Sequence, residues 1–190
     1  MMRTFVAFDT TPGQKATLTN TVAALRRSGA DVRWESPDKF HVTLKFLGET
    51  EEGALNQICD RISAVCANAQ PMTLSINRLG CFPNLRQPRV IWAGCKTEYP
   101  ELHTLKTQLE KALKDCGFDS EKQTFHPHIT LGRVRGIRGI NDLISTLKTV
   151  TFESFNLSVG NLVLVKSVLH RSGSVYSTLE SFTLGGKVVS

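Results

Sequence analysis

The chain has 190 residues, of which 41% are hydrophobic, and a formal net charge of +6. This length suits one domain, and one domain with two lobes is more natural than two independent domains. The positive charge favours polyanionic ligands such as RNA, nucleotides or phosphorylated metabolites. No window approaches the roughly 18 consecutive apolar residues that a membrane span needs, which argues against a membrane protein.

The five cysteines are scattered along the chain and form no CxxC pair. Their odd number and spacing indicate neither a disulfide framework nor a cysteine zinc site. We therefore expect a reducing, cytoplasmic environment.

The first half of the chain predicts alternating strands and helices. Apolar periodicity and turn residues predict a strand at 4–8, a helix after Pro12 that closes at 26–29, a strand at 32–34, a turn at 36–38, a strand at 40–47 that Gly48 ends, and a helix at 51–69.

The second half contains further elements of both kinds. It predicts strands at 72–79 and 90–93, a helix that ends at 116–117, a strand at 128–131 that Gly132 interrupts, a short helix at 142–147, and strands at 150–157, 161–169 and 175–184 with a hairpin turn at 171–173. Together the elements indicate an α+β fold.

One tetrapeptide, H-[VI]-T-L, occurs twice, at residues 41–44 and 128–131. A chance pair of such motifs is improbable, whereas a single copy would carry little weight. Side chains alternate along a strand, so His41 and Thr43 share one face, as do His128 and Thr130. If the two strands face each other across a cleft, the cleft holds two imidazoles and two hydroxyls.

That set of groups suits in-line displacement at a phosphodiester. One imidazole takes a proton from the attacking oxygen, the other gives a proton to the leaving oxygen, and the hydroxyls donate to the non-bridging phosphate oxygens. The alternative is that both strands are ordinary amphipathic strands with a solvated face. A metal site through His126 and His128 is disfavoured, because no third ligand motif accompanies the pair. We predict neither a metal nor another cofactor.

Two cations beside the motifs are candidate phosphate ligands. Lys45 keeps the parity of His41 and Thr43, so it either lines the cleft or is an ordinary solvated lysine. Arg133 has the wrong parity relative to His128 and reaches the cleft only if Gly132 supports a bulge or bend. An arginine there would offer phosphate a planar, permanently charged fork.

Aromatic residues flank both motifs. Phe40, Trp34 and Phe125 could stack a nucleobase, although aromatic residues beside buried strands more often belong to the core.

Around these motifs the chain resembles the two-histidine (2H) phosphoesterases, and most closely the LigT-like bacterial RNA 2′,3′-cyclic phosphodiesterases. The resemblance covers nearly the whole chain. Its segments are residues 3–8, 34–48, 88–94, 125–133 and 167–176.

The resemblance implies a single bilobal domain over residues 1–190, with two pseudo-symmetric lobes, each with an antiparallel sheet and flanking helices, and the active-site cleft between them. It implies metal-independent opening of a 2′,3′-cyclic phosphate to a 2′-phosphomonoester. His41 would give a proton to the departing 3′ oxygen, His128 would activate water, and Thr43 and Thr130 would hold phosphate oxygens.

The resemblance leaves the substrate less certain than the chemistry. The expected substrates are RNA ends or small cyclic nucleotides. We expect the protein to be a monomer. The same acid–base pair would also serve a 2′–5′ oligonucleotide phosphodiesterase or a reversible 2′–5′ RNA ligase. A binding module without turnover is disfavoured, because both histidines and both threonines are intact.

Overall fold

The computed structural model describes residues 1–121, 123–170 and 173–186, and in them it confirms the predicted α+β architecture. The strands are β1 (Met2–Asp9), β2 (Val32–Trp34), β3 (His41–Thr50), β4 (Met72–Ile76), β5 (Arg78–Phe82), β6 (Val90–Gly94), β7 (His128–Val134), β8 (Phe155–Val159), β9 (Asn161–His170) and β10 (Gly173–Thr183). The α-helices are α1 (Pro12–Arg26), α2 (Leu55–Ala67), α3 (Pro100–Lys114) and α4 (Ile140–Thr149), and 3₁₀ turns lie at Pro37–Lys39 and Glu52–Ala54.

Several predicted boundaries were wrong. The predicted strand at 72–79 is two strands, β4 and β5, which belong to different sheets. β3 continues past Gly48, whose φ of 74° only a glycine adopts easily, and β7 continues past Gly132. Arg171 and Ser172 of the predicted hairpin turn lie outside the described residues.

The two motif strands, β3 and β7, lie side by side in the middle of one sheet. Within the described residues this sheet has eight strands in the order β10-β9-β1-β3-β7-β6-β5, with β2 also paired to β7, while β4 and β8 form a separate pair. A single residue pair, Val42 with Ile129, sets the register between β3 and β7. The sheet is therefore two antiparallel halves, one per lobe, that meet at the motif strands.

Each motif strand contains a β-bulge at the leucine of its motif. On β3, Thr43 pairs with Ala7 of β1 and Lys45 pairs with Val6, so Leu44 has no partner. On β7, Thr130 pairs with Trp92 of β6 and Gly132 pairs with Ile91, so Leu131 has none. A bulge reverses the alternation of the residues that follow it. The two lobes thus share the same irregularity at the same motif position.

A continuous apolar core lies beneath both motif strands. The motif residues Val42, Leu44, Ile129 and Leu131 are all at most 1% exposed and belong to this cluster. Inward-facing residues of all four helices join it. None of the helices in the described part of the chain is both long and apolar enough to cross a membrane.

A buried ionic cluster supports the first bulge. The Lys106 Nζ atom of α3 donates to the Leu44 carbonyl at 2.9 Å, to Glu110 Oε1 at 2.8 Å and to Glu121 Oε2 at 2.9 Å. A buried cation needs such partners, because its desolvation is otherwise unfavourable. The cluster ties β3 to α3 and to the segment that precedes the second motif.

Candidate active site

The histidines and threonines of both motifs face the same side of the sheet. Antiparallel register around the Val42–Ile129 pair places His41 opposite Thr130 and Thr43 opposite His128. The two histidines are then diagonal neighbours, and such neighbours lie about 7–8 Å apart on one face of a sheet. The structure therefore brings together the four motif side chains that the sequence singles out.

Each imidazole is held through the same ring nitrogen. His128 Nδ1 lies 2.6 Å from the carbonyl oxygen of His126, and since a carbonyl only accepts, Nδ1 carries the proton. The backbone of Lys39 also binds the His41 ring, and Nδ1 is the nitrogen left for it because Nε2 faces Thr43. His41 Nε2 lies 3.0 Å from Thr43 Oγ1. In the neutral rings, Nε2 is therefore the nitrogen available for proton transfer.

Burial lowers the pKa of both histidines. The pKa of His41 falls from its usual 6.5 to about 4 through desolvation, which the Lys39 backbone and Asp9 oppose and His128 reinforces. Desolvation also lowers the pKa of His128, and the nearby Arg133 cation adds to this effect. Both rings are consequently neutral in the free protein at neutral pH.

Aromatic side chains cause part of this desolvation. The ring of Phe5 stacks on His41 at 4.8 Å between centroids, and Tyr176 meets His41 edge-on at 5.5 Å. Phe82 meets His128 edge-on at 4.9 Å, and Trp92 lies 6.4 Å from it. These aromatic neighbours fix the orientation of each imidazole and also exclude water from it.

The bulges decide which cation reaches the site. Lys45 follows the bulge at Leu44, so its side chain turns into the protein, is 1% exposed and donates to the Asp119 carbonyl at 2.7 Å. The prediction that Lys45 lines the cleft is therefore wrong. Arg133 follows the bulge at Leu131 and lies on the histidine face, as its conditional prediction required, although the bulge is at Leu131 rather than Gly132.

Arg133 remains accessible to a bound anion. Its side chain is 57% exposed, and its Nε atom lies 3.6 Å from Glu35 Oε1 in a loose ion pair. Arg33 of β2 pairs directly opposite it. Two like charges opposite each other on a sheet repel, and an anion between them would relieve that repulsion.

The aromatic candidates fall into different environments. Phe40 is 1% exposed and belongs to the core, so the prediction that it stacks a base is wrong. Trp34 packs over Gly132, where a Cβ atom would lie 2.8 Å from its ring. Phe125 is half-buried and lines a groove beside His128.

Sequence reasoning missed four aromatic residues that contact the histidines. They come from strands outside the motifs and are Phe5, Phe82, Trp92 and Tyr176. Strand order, which places β1 and then β9 and β10 beyond β3, and β6 and then β5 beyond β7, was the information needed to find them. In the part of the chain that the structure describes, no group of three His, Cys, Asp or Glu side chains is placed to hold a metal ion.

Two imidazoles and two hydroxyls on one face, with Nε2 of each neutral ring left unprotonated, define a two-histidine acid–base site. The family model described as the 2′-5′ RNA ligase superfamily matches residues 14–171, and the chain belongs to this superfamily, whose members are two-histidine phosphoesterases.

Curated relatives and solved structures agree with this assignment. The chain is 35% identical over 183 residues to an RNA 2′,3′-cyclic phosphodiesterase of Archaeoglobus fulgidus, covering 95% of this chain and 99% of the relative. It is 33% identical over 187 residues to the Methanothermobacter thermautotrophicus protein of the same name, covering 96% and 99%.

The fold is also that of solved structures. The protein TT0787 of Thermus thermophilus superposes with a TM-score of 0.79 at 25% identity, over 98% of this chain and all of that chain. LigT of E. coli, solved in complex with 3′-AMP, superposes with a TM-score of 0.75 at 23% identity, over 96% and 98%.

Proposed function

We propose that this chain is an RNA 2′,3′-cyclic phosphodiesterase that opens 2′,3′-cyclic phosphate ends to 2′-phosphomonoesters without a metal ion. The observation that carries the proposal is the shared face on which His41 and His128 lie diagonally, each beside the threonine of the other motif. Membership of the superfamily and the names of the curated relatives support the same activity.

The diagonal arrangement suits displacement in line at phosphorus. With the phosphorus between the two rings, His128 Nε2 takes a proton from a water molecule as its oxygen bonds to phosphorus. His41, protonated at Nε2, gives its proton to the 3′ oxygen as the bond from phosphorus to that oxygen breaks. The 2′ oxygen stays bonded, which gives a 2′-phosphomonoester and a free 3′ hydroxyl.

The remaining groups stabilise charge on the phosphate. Thr43 and Thr130 supply hydroxyl donors on the same face, and Arg133 supplies a permanent positive charge at its edge. Donors that are already in place where charge develops are the main source of such stabilisation. Lys45 has no part in this set, because it is buried on the opposite side of the strand.

The proton on His41 arrives with the substrate. Burial holds the pKa of His41 at about 4 in the free protein, so the ring is neutral before binding. An anionic phosphodiester beside the ring favours the imidazolium and raises that pKa. Binding and protonation are therefore coupled.

We include in the proposal that the enzyme acts as a monomer in a reducing cytoplasm. One chain supplies both motifs, so the site needs no second copy. The five cysteines are free, as expected of a reducing compartment. Sedimentation equilibrium at micromolar concentration checks the oligomeric state.

A 2′–5′ linked oligonucleotide is the second candidate substrate for the same acid–base pair. The description of the superfamily favours it, as does a groove beside His128 that could hold the nucleoside on the far side of such a linkage. Parallel assays on 2′–5′ and 2′,3′-cyclic substrates compare the two activities.

The test measures hydrolysis of 2′,3′-cyclic AMP in the presence of EDTA. His41→Ala and His128→Ala should each lose about 10²- to 10⁴-fold in kcat/KM, the usual contribution of general acid–base catalysis. His170→Ala, an exposed histidine at the end of β9, is the matched control and should retain full activity. The product should be 2′-AMP.

Full activity in both motif variants would disprove the proposal. So would an activity that EDTA abolishes and added metal restores. Tight binding of the nucleotide without any turnover by the unaltered protein would instead support a binding module.

A further inference from the structure

The two sides of the histidine pair open into cavities of very different size. A groove of about 650 Å³ adjoins His128, whereas a pocket of about 100 Å³ adjoins His41. Ligand sites generally occupy roughly 300–1,000 Å³, so the groove, unlike the small pocket, is as large as a typical ligand site.

The charges on the two sides differ as well. The groove carries three exposed cations, Arg78, Lys96 and Lys148, and Glu98 is the one carboxylate among its described lining residues. Two carboxylates line the small pocket beside His41: Asp38, and Asp9, which pairs with Lys15 at 3.0 Å. A polyanion is therefore attracted to the His128 side.

The floor of the groove is an aromatic platform, which we define as Trp92 and Phe82. Trp92 lies flat against β5 and β6 because two glycines leave space for it: a Cβ on Gly80 would collide with the indole, and one on Gly94 would approach it to 3.1 Å. Phe82 continues the surface, with ring centroids 5.1 Å apart and an angle of 32°. The guanidinium of Arg78 lies 5.9 Å from the centre of the Trp92 ring.

An aromatic surface rimmed by cations is the usual way in which proteins hold single-stranded nucleic acid. Bases stack on the rings whatever their sequence, and the cations contact the phosphates. In the described part of the first lobe, Ala7 pairs with Thr43 where Trp92 pairs with Thr130, and the rings beside His41, Phe5 and Tyr176, line only the small pocket.

We propose that this groove is a subsite for a nucleotide of an RNA strand, with its base on the Trp92–Phe82 platform and its phosphates at Arg78, Lys96 and Lys148. The inference deepens the proposed function, on which it rests, because it makes RNA ends better substrates than cyclic mononucleotides. The nucleotide belongs either to the strand that bears the cyclic phosphate or to a second strand whose 5′ hydroxyl approaches His128.

The first experiment compares kcat/KM for 2′,3′-cyclic AMP and for hexaadenylate with a 2′,3′-cyclic end. The groove variant is Arg78→Ala with Lys148→Ala, and the control Arg27→Ala with Lys111→Ala removes two exposed cations outside the groove. If the groove holds the substrate strand, the groove variant loses about tenfold or more on the hexamer and less than about twofold on cyclic AMP. The slope of log kcat/KM against log salt concentration should become shallower by about 0.7 for each phosphate that the variant no longer binds.

A second arm distinguishes the source of the strand. Cyclic AMP is mixed with hexaadenylate that has a 5′ hydroxyl and no cyclic end. A second strand in the groove would bond its 5′ oxygen to phosphorus as the bond to the 3′ oxygen breaks, with the 5′ hydroxyl proton passing to His128 and a proton from His41 passing to the 3′ oxygen. The joined product would carry a 2′–5′ linkage, and the groove variant should form about tenfold less of it.

Fluorescence tests the platform independently of turnover. The chain has two tryptophans, so in Trp34→Phe the emission comes from Trp92 alone. Hexaadenylate with a 3′ hydroxyl should quench this emission, and adding the groove substitutions should shift the titration to about tenfold higher concentration. If the protein hydrolyses neither cyclic substrate, the proposed function fails, while this titration still decides the subsite.

The proposal is overturned if saturating hexaadenylate leaves Trp92 emission unchanged. It is also overturned if the groove variant matches the charge control on the hexamer substrate and in the joining reaction.

Discussion

At the scale of single residues, the two histidines are prepared in the same way for opposite proposed roles. For each, a backbone group two positions earlier binds the imidazole, Lys39 for His41 and His126 for His128. Nε2 is left to face the substrate, and aromatic neighbours exclude water. This exclusion lowers each pKa but also strengthens the interaction of the ring with a bound anion, because electrostatic interactions are less screened there.

The pH dependence of the reaction should show both the lowered pKa values of the free enzyme and the effect of the bound anion. The proposed mechanism needs one protonated and one neutral histidine, and burial lowers the pKa of both below 6.5. kcat/KM, which reports the free enzyme, should therefore peak below pH 6.5 and fall as the pH rises further, because the singly protonated form is lost. kcat should fall at a higher pH, since bound phosphate raises the pKa of the proton donor. Rate profiles on cyclic AMP check this, and a flat kcat/KM from pH 6.5 to 8.5 would contradict it.

At the scale of elements, the bulges at Leu44 and Leu131 determine the composition of the site. Strand alternation predicts the four motif side chains correctly, because they precede the bulge. It fails for Lys45, which follows a bulge. The sequence gives no sign of the bulge, since Leu44 and Leu131 are buried as an unbroken alternation would also require. Phe40, by contrast, is two residues before the buried Val42, so strand alternation alone already favoured a core position for Phe40.

A pair of substitutions tests the effect of the bulges on the site. Arg133→Gln should reduce kcat/KM for cyclic AMP about 10- to 100-fold, the usual value of a hydrogen bond to a charged group. Lys45→Met, which removes the cation that follows the first motif, should leave kcat/KM unchanged, because Lys45 points away from the histidine face. Circular dichroism confirms folding of both variants. A tenfold loss in a folded Lys45→Met protein would mean that Lys45 reaches the phosphate.

At the scale of the molecule, the sequence could not predict which distant residues come together in space. The motif repeat and the family resemblance were enough to predict the α+β fold and the proposed catalytic pair. The groove brings Arg78 of β5, Trp92 of β6 and Lys148 of α4 to one place, and no local pattern links these residues. The two lobes also depend on each other, since one apolar cluster runs beneath both.

That shared core predicts a single cooperative unfolding transition. Leu164 of β9 and Ile91 of β6 are fully buried on opposite sides of the motif strands. Leu164→Ala and Ile91→Ala should each lower the free energy of unfolding by about 2–5 kcal/mol. Because the core is continuous, each substitution should shift the same transition, with equal calorimetric and van't Hoff enthalpies. Two transitions, one moved by each substitution, would show instead that the lobes fold as separate domains.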